Sequence, residues 1–213
     1  MLPQINTTNT NNQYDTEIFQ FPISNSTSKS KKSNSNSTPR IRRNNSTVQP
    51  IKNKEDIERI KSYLHNSPTR YQGTNIRNYC LFVLGINIGR RIGDILALTI
   101  ADVINPKTKE IKSSMTIIEQ KTHKRVKVFF NTSVKTVLKE YISTLPNVQS
   151  DDYLFKSRKG NNKPISPNMA WRIMNQIGEE LNLGINLGTH SLRKTYAYQA
   201  LKNNGDNPYA MAI

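Results

Sequence analysis

The stretch Tyr79-Cys80-Leu81-Phe82-Val83-Leu84-Gly85-Ile86-Asn87-Ile88 constrains this chain more than any other. A helix over Thr74–Ile88 is apolar nearly all round rather than along one stripe. Such a helix has to be wrapped on several sides, so it belongs at the centre of the fold. Cys80 falls inside it and is expected to be buried and inert. With a single cysteine, the 213-residue chain has no internal disulfide and no cysteine-based zinc cluster. Its three scattered His residues do not make a metal site either.

The elements around this helix follow from periodicity. Lys54–His65 carries Ile57, Ile60 and Leu64 on one helical face. Gly89 ends the central helix, and a short helical turn over Ile92–Leu98 follows. Met115–Gln120 and Arg125–Phe130 read as two strands joined by Lys121-Thr122-His123-Lys124, with the period-two alternation of a half-buried strand at Val126-Lys127-Val128. Residues 132–143 return to helix, capped by Asn131 or Thr132, with Val134, Val137, Leu138, Tyr141 and Ile142 inward. Ser166-Pro167 opens a helix running through Leu181 to a stop at Gly184. His190–Asn203 is a further helix, stopped by Asn204-Gly205. Trp171 is read as core packing, and His65 and His123 as solvent-facing. The pattern is that of a mainly helical α+β domain with a small antiparallel sheet.

Nearly half of the first 50 residues are Asn, Ser or Thr, and large apolar side chains are few. Such a segment cannot bury enough surface to offset its ordering entropy. It is expected to be a disordered polar arm with Lys29, Lys31, Lys32, Arg40, Arg42 and Arg43 as its basic residues. The domain division is therefore 1–50 for the arm and 51–213 for the body. The whole chain carries a formal charge of +16, most of it in the body. That charge points to a polyanionic partner. The longest apolar run is far short of the roughly 20 residues of a membrane helix. The first 20 residues have no apolar core of a secretory signal. The expected location is the cytoplasm, with no membrane partner.

Three local patterns carry chemistry. Gly89-Arg90-Arg91-Ile92-Gly93-Asp94 places two Arg at a helix junction, where a planar guanidinium fork matches two phosphate oxygens. Asp94, three residues after Arg91, is placed to pair with it. Thr189-His190-Ser191-Leu192-Arg193 sets a proton-exchanging group and an anion binder one turn apart on a helix. Lys121 sits at the hairpin tip. No carboxylate cluster suited to Mg²⁺ and no Gly-rich phosphate loop accompanies them, against a two-metal nuclease or nucleotide hydrolase. Together they suit phosphoryl chemistry on a nucleic acid.

These boxes, in this order, resemble the catalytic domain of tyrosine recombinases of the phage-integrase type. Gly89–Leu98 followed by Asp102-Val103 is similar to the family's first-arginine box. Glu119-Gln120-Lys121-Thr122 before Lys124 is similar to its hairpin-lysine motif. Gly188–Thr195 is similar to its His-x-x-Arg box, and Asp152-Tyr153-Leu154-Phe155 and the helix with Trp171 fit its layout. The resemblance implies Arg91, Lys121, His190 and Arg193 as catalytic residues, with Arg90, Lys124 and Lys194 contacting DNA. It implies a tyrosine hydroxyl attacking a phosphodiester to form a 3′-phosphotyrosyl link, no metal or other cofactor, double-stranded DNA as partner, self-association on DNA, and residence on the bacterial nucleoid. In the family the nucleophile lies well beyond the His-x-x-Arg box. Tyr196 and Tyr198 share the box's own helix and are too close, and Tyr209 falls in the element opened by Asp206-Asn207-Pro208, before the expected position. The chain is therefore expected to lack its nucleophile and to be cut short at the C-terminus. The competing reading is a non-enzymatic DNA-binding remnant or regulator.

Overall fold

A computed structural model describes residues 47–68 and 73–203. The polar segment up to residue 46 and everything after Asn203 lie outside the described residues. That includes Asn204-Gly205, the helix start at Asp206-Asn207-Pro208, and Tyr209. The described elements, in chain order, are helices α1 (Lys54–Asn66), α2 (Thr74–Ile88), α3 (Ile92–Leu96) and α4 (Ile100–Val103), strands β1 (Ser114–Ile118) and β2 (Arg125–Phe129), and helices α5 (Thr132–Ser143), α6 (Pro167–Glu180) and α7 (Thr189–Asn203). The architecture is mainly helical with one small antiparallel sheet, as the periodicity predicts. None of the described helices is long and apolar enough to cross a membrane.

α2 is the hub. Cys80 through Gly85 and Ile88 are all buried, and α1, α5 and α7 pack around it. It is bounded by Gly73 and Gly89, both in the left-handed conformation, at φ 75° and 61°. α1 begins at Asn53, whose side chain accepts the Glu55 N–H at 3.0 Å, and buries Ile57, Ile60 and Leu64. α5 begins at Asn131, which accepts the Val134 N–H at 2.9 Å, and α6 at Ser166, which accepts the Met169 N–H at 3.1 Å. Each cap satisfies a backbone donor that the first helical turn cannot. From α5, the buried Tyr141 donates its hydroxyl to the Leu154 carbonyl at 2.9 Å and stacks on Phe155. The Asp152–Phe155 segment is thereby fastened to the core. Burial pushes the Tyr141 phenol well up.

The sheet pairs Ser114 with Phe129 through Ile118 with Arg125. Met115, Ile117 and Val128 face the core, while Ile118 and Phe129 are exposed. β1 stops at Ile118, two residues short of the expected Gln120. The chain turns there because Glu119 is buried and Gln120 is engaged by Asp94. The turn expected to run to Leu98 ends at Leu96. A separate helix, α4, follows where the sequence pattern predicts none. It is started by a capping box in which Asp102 accepts both the Thr99 N–H, at 2.7 Å, and the Thr99 hydroxyl, at 2.9 Å. α6 ends at Glu180, one residue before the expected Leu181, and Asn182 at φ 46° leaves the right-handed helix ahead of Gly184. Trp171 is not core: it is 45% exposed, on the flank of the α6 face that buries Ala170, Met174 and Ile177, with its indole edge toward Gly188.

Residues 47–53 run along α7. The Gln49 N–H donates to the Asn186 carbonyl at 3.1 Å, and the Ile51 N–H donates to the Thr195 hydroxyl at 2.8 Å. Ile51 and Thr195 are both buried, so this bond satisfies groups that water cannot reach. Val48 and Gln49, assigned by composition to the arm, belong with the body through these contacts.

α7 in turn approaches α2 very closely, and glycines make the approach possible. A methyl group at Gly85 would lie 2.6 Å from Leu192 Cδ1, and one at Gly89 would lie 2.2 Å from the Tyr196 ring. Gly89→Ala adds a left-handed backbone penalty to a collision with a ring that has no free end to swing away. It is expected to cost about 2–4 kcal/mol. Urea unfolding of the variant checks this. A midpoint shift worth less than about 0.5 kcal/mol would show that α7 is not seated on this glycine.

Candidate phosphate-binding site

The site is built at the end of α2. Gly89 turns the chain out of the helix, and Arg90 and Arg91 follow at once. Arg91 is the residue before the first turn of α3, in extended backbone. Its carbonyl accepts the Ile95 N–H at 3.1 Å, so its main chain is fixed by the helix it precedes. Buried Ile95 and Leu96 anchor α3. Both Arg side chains are part-exposed, and both turn to one carboxylate. Arg90 Nη1 lies 3.2 Å from Glu119 Oε1, and Arg91 Nη1 lies 3.2 Å from Glu119 Oε2. The first contact is a hydrogen bond; the second is an ion pair off the hydrogen-bond axis.

Glu119 therefore does what the sequence assigned to Asp94. Asp94 is buried, but one of its oxygens accepts the Gln120 N–H at 3.0 Å and the other has no hydrogen-bond partner among the described residues. It orients the hairpin, not the arginine. The i, i+3 spacing of Arg91 and Asp94 made the pairing plausible locally. The hairpin, 25 residues further on, brings a second carboxylate that takes the guanidinium instead. Glu119 was missed because an acidic residue at the end of a strand carries no local signal of burial. The Thr122 hydroxyl donates to it, and this bond, then the Arg91 and Arg90 guanidiniums, hold its carboxyl below the usual range.

The turn holding Lys121 is closed on this same residue. The Glu119 N–H donates to the Lys124 carbonyl at 3.0 Å, and the His123 N–H donates to the Glu119 carbonyl at 2.8 Å. His123 takes up φ 55°. Lys121 and Lys124 are exposed, and neither ammonium has a partner among the described residues. His190 and Arg193 lie on the first turns of α7, His190 exposed and Arg193 half-buried, both without a hydrogen bond or ion pair among the described residues. Lys194, next on the helix, donates to the Val48 carbonyl at 2.8 Å. The fold thus ties the hairpin to the arginine junction through Glu119 and Asp94, and α7 to the same junction through Leu192 and Tyr196. Three segments spread over about a hundred residues of sequence are thereby linked. No cluster of three metal-ligating side chains occurs among the described residues.

The Phage integrase family profile matches residues 47–213, and the chain belongs to that family. It is 37% identical over 159 residues to the Probable integrase/recombinase YoeC of Bacillus subtilis (strain 168), a match covering 75% of this chain and 78% of YoeC. Its fold is similar to that of the XerA recombinase, with a TM-score of 0.59 at 20% identity, covering 78% of this chain and 55% of that one. It is also similar to the XerH site-specific recombinase, solved as a pre-cleavage complex bound to difH substrate, with a TM-score of 0.56 at 20% identity over 74% of this chain and 45% of that one. The chain thus spans about half the length of these two solved recombinases.

Glu119→Gln is expected to lower stability near neutral pH by about 2 kcal/mol, the worth of a hydrogen bond to a charged group. The folded carboxyl titrates below its ordinary value. The wild-type advantage is therefore complete above the ordinary carboxylate range and is lost as pH falls through the lower, folded value. Urea midpoints of both proteins between about pH 7 and about pH 3 check this. A gap that stays constant over that range would show that the charge of Glu119 contributes nothing.

Proposed function

We propose that this chain is the catalytic part of a DNA strand-cleaving and rejoining recombinase working through a phosphotyrosine intermediate. The observation that supports this reading is the packing of α7 against the end of α2. The seating of α7 on Gly85 and Gly89 sets the helix of His190 and Arg193 against the junction that presents Arg90 and Arg91. In this scheme Arg91 and Arg193 hold the non-bridging oxygens of one phosphate, and charge developing there meets preorganised guanidiniums. A tyrosine oxygen attacks phosphorus and the bond to the 5′ oxygen breaks. The departing oxygen takes a proton from Lys121, while His190 receives the proton of the tyrosine. The 5′-hydroxyl later reverses these steps and restores the strand. Arg90, Lys124 and Lys194 contact the DNA backbone, and copies of the protein associate on the duplex in the nucleoid.

In this scheme the attacking tyrosine is neither Tyr196 nor Tyr198, which share the helix of His190 and Arg193. Tyr196 is committed to the contact with Gly89, and the Tyr198 ring lies 5.9 Å from each of the Lys52 and Lys202 ammoniums. Tyr209 lies outside the described residues.

Duplex binding is expected to weaken steeply with salt, and Arg91→Ala and Arg193→Ala should each cost about tenfold in affinity. On a nicked suicide substrate this chain alone should form no covalent adduct. A tyrosine-bearing relative, inactivated by substitution of its own first-box arginine, should form one when mixed with this chain, and only if Arg91 is intact. An adduct from this chain alone that vanishes in Tyr209→Phe would place the nucleophile within it. Arg91-dependent binding with no adduct in either arm would establish a non-enzymatic DNA-binding protein instead.

A further inference from the structure

We propose that Glu119 is a positioning residue that holds Arg90, Arg91 and the Lys121 turn in one arrangement for phosphate capture. The proposal rests on the recombinase reading and adds to it a residue that neither the arginine pair nor the lysine motif assigns. Three observations support it. First, one carboxylate meets both guanidiniums, one oxygen to each at 3.2 Å. Two adjacent cations without it would repel and splay. Second, the same residue closes the lysine turn, through its N–H to Lys124, its carbonyl to His123 and its side chain to Thr122. A displacement of the arginine pair therefore displaces the turn.

The third observation is the order of depth. The Glu119 side chain is 8% exposed, whereas those of Arg90 and Arg91 are 21% and 31% exposed. The carboxylate lies behind the guanidiniums, and solvent reaches them from the other side. A carboxylate that merely occupied the phosphate position in the DNA-free protein would lie in front, as the more exposed partner. The geometry therefore assigns Glu119 to support. Its negative charge should help DNA binding, although simple charge counting says that removing it should tighten the complex.

That opposition of signs supplies the test. Duplex binding is measured for the full chain, for Glu119→Gln, for Arg91→Ala and for the double variant, at a temperature where all four are folded. Support predicts that Glu119→Gln weakens binding about tenfold, and that Arg91→Ala then costs less than about twofold in its presence, against about tenfold in the wild type. A residue that only stabilises the fold would leave the contribution of Arg91 intact. Thr122→Val removes the hydroxyl from Glu119 without touching either arginine. It should give a smaller loss, about threefold, again dependent on Arg91, and it stands in if Glu119→Gln does not fold. Nitrogen-15 spectra of labelled arginine side chains give an independent readout: the Arg90 and Arg91 signals should be resolved in the wild type and collapse toward free arginine in Glu119→Gln, with Arg193 unchanged. Glu119→Gln or Thr122→Val binding as tightly as wild type, or more tightly, would overturn the positioning role and leave the DNA reading standing. Wild-type binding that Arg91→Ala does not alter would overturn the DNA reading of the arginine box, and with it the proposal.

Discussion

The contact between α2 and α7 is the constraint on which the rest of the structure depends. α2 is apolar on all sides and can lie only at the centre. Gly85 within it and Gly89 at its end have no side chain where α7 approaches, and the space is taken by Leu192 and the Tyr196 ring. Because Gly89 also turns the chain out of the helix, the residue that admits α7 is the one that launches Arg90 and Arg91. Core packing and site geometry are therefore one arrangement, and a methyl group at Gly89 disturbs both. Thr195, on the same helix, is buried and accepts the Ile51 N–H, so the segment entering the domain is fastened to α7 as well.

Electrostatics completes what packing begins. A net charge of +16 has few acids to organise it, and the placement of each buried one matters. Asp94 and Glu119 are the buried charged residues among those described, and both sit at the hairpin–arginine junction. Asp94 orders a backbone amide of the turn; Glu119 balances the arginines. Exposed local pairs such as Arg59 with Asp56 and Lys61 with Glu58 contribute little. Among the described residues, the Lys121, Lys124 and Arg193 side chains have no hydrogen-bond or ion-pair partner.

Much of this was legible in the residues alone. The bounds of α2, the inward faces of α1 and α5, the Ser166-Pro167 helix start and the hairpin follow from periodicity and capping, which act over a few residues. The His190 and Arg193 pair follows from helical spacing, and the family resemblance from three short boxes. Where the expectation differed, the cause was non-local. β1 ends early because Glu119 and Gln120 are drawn to the arginine junction. Trp171 lies exposed because Ala170, Met174 and Ile177 already fill the face of α6 that meets the core. Val48 and Gln49 look like the polar arm in composition and pack as part of the body.

By itself, then, the sequence determined the class of domain, the identity of the cationic groups and the elements that carry them, because propensity and spacing are properties of neighbouring residues. Only the tertiary structure decided which acid balances which base. Asp94 is three residues from Arg91 and Glu119 is 28 away, yet Glu119 takes the guanidinium. The physical reason is that a buried charge pairs with whatever counter-charge the packed chain brings within reach, and the hairpin delivers Glu119 there while a backbone amide occupies Asp94.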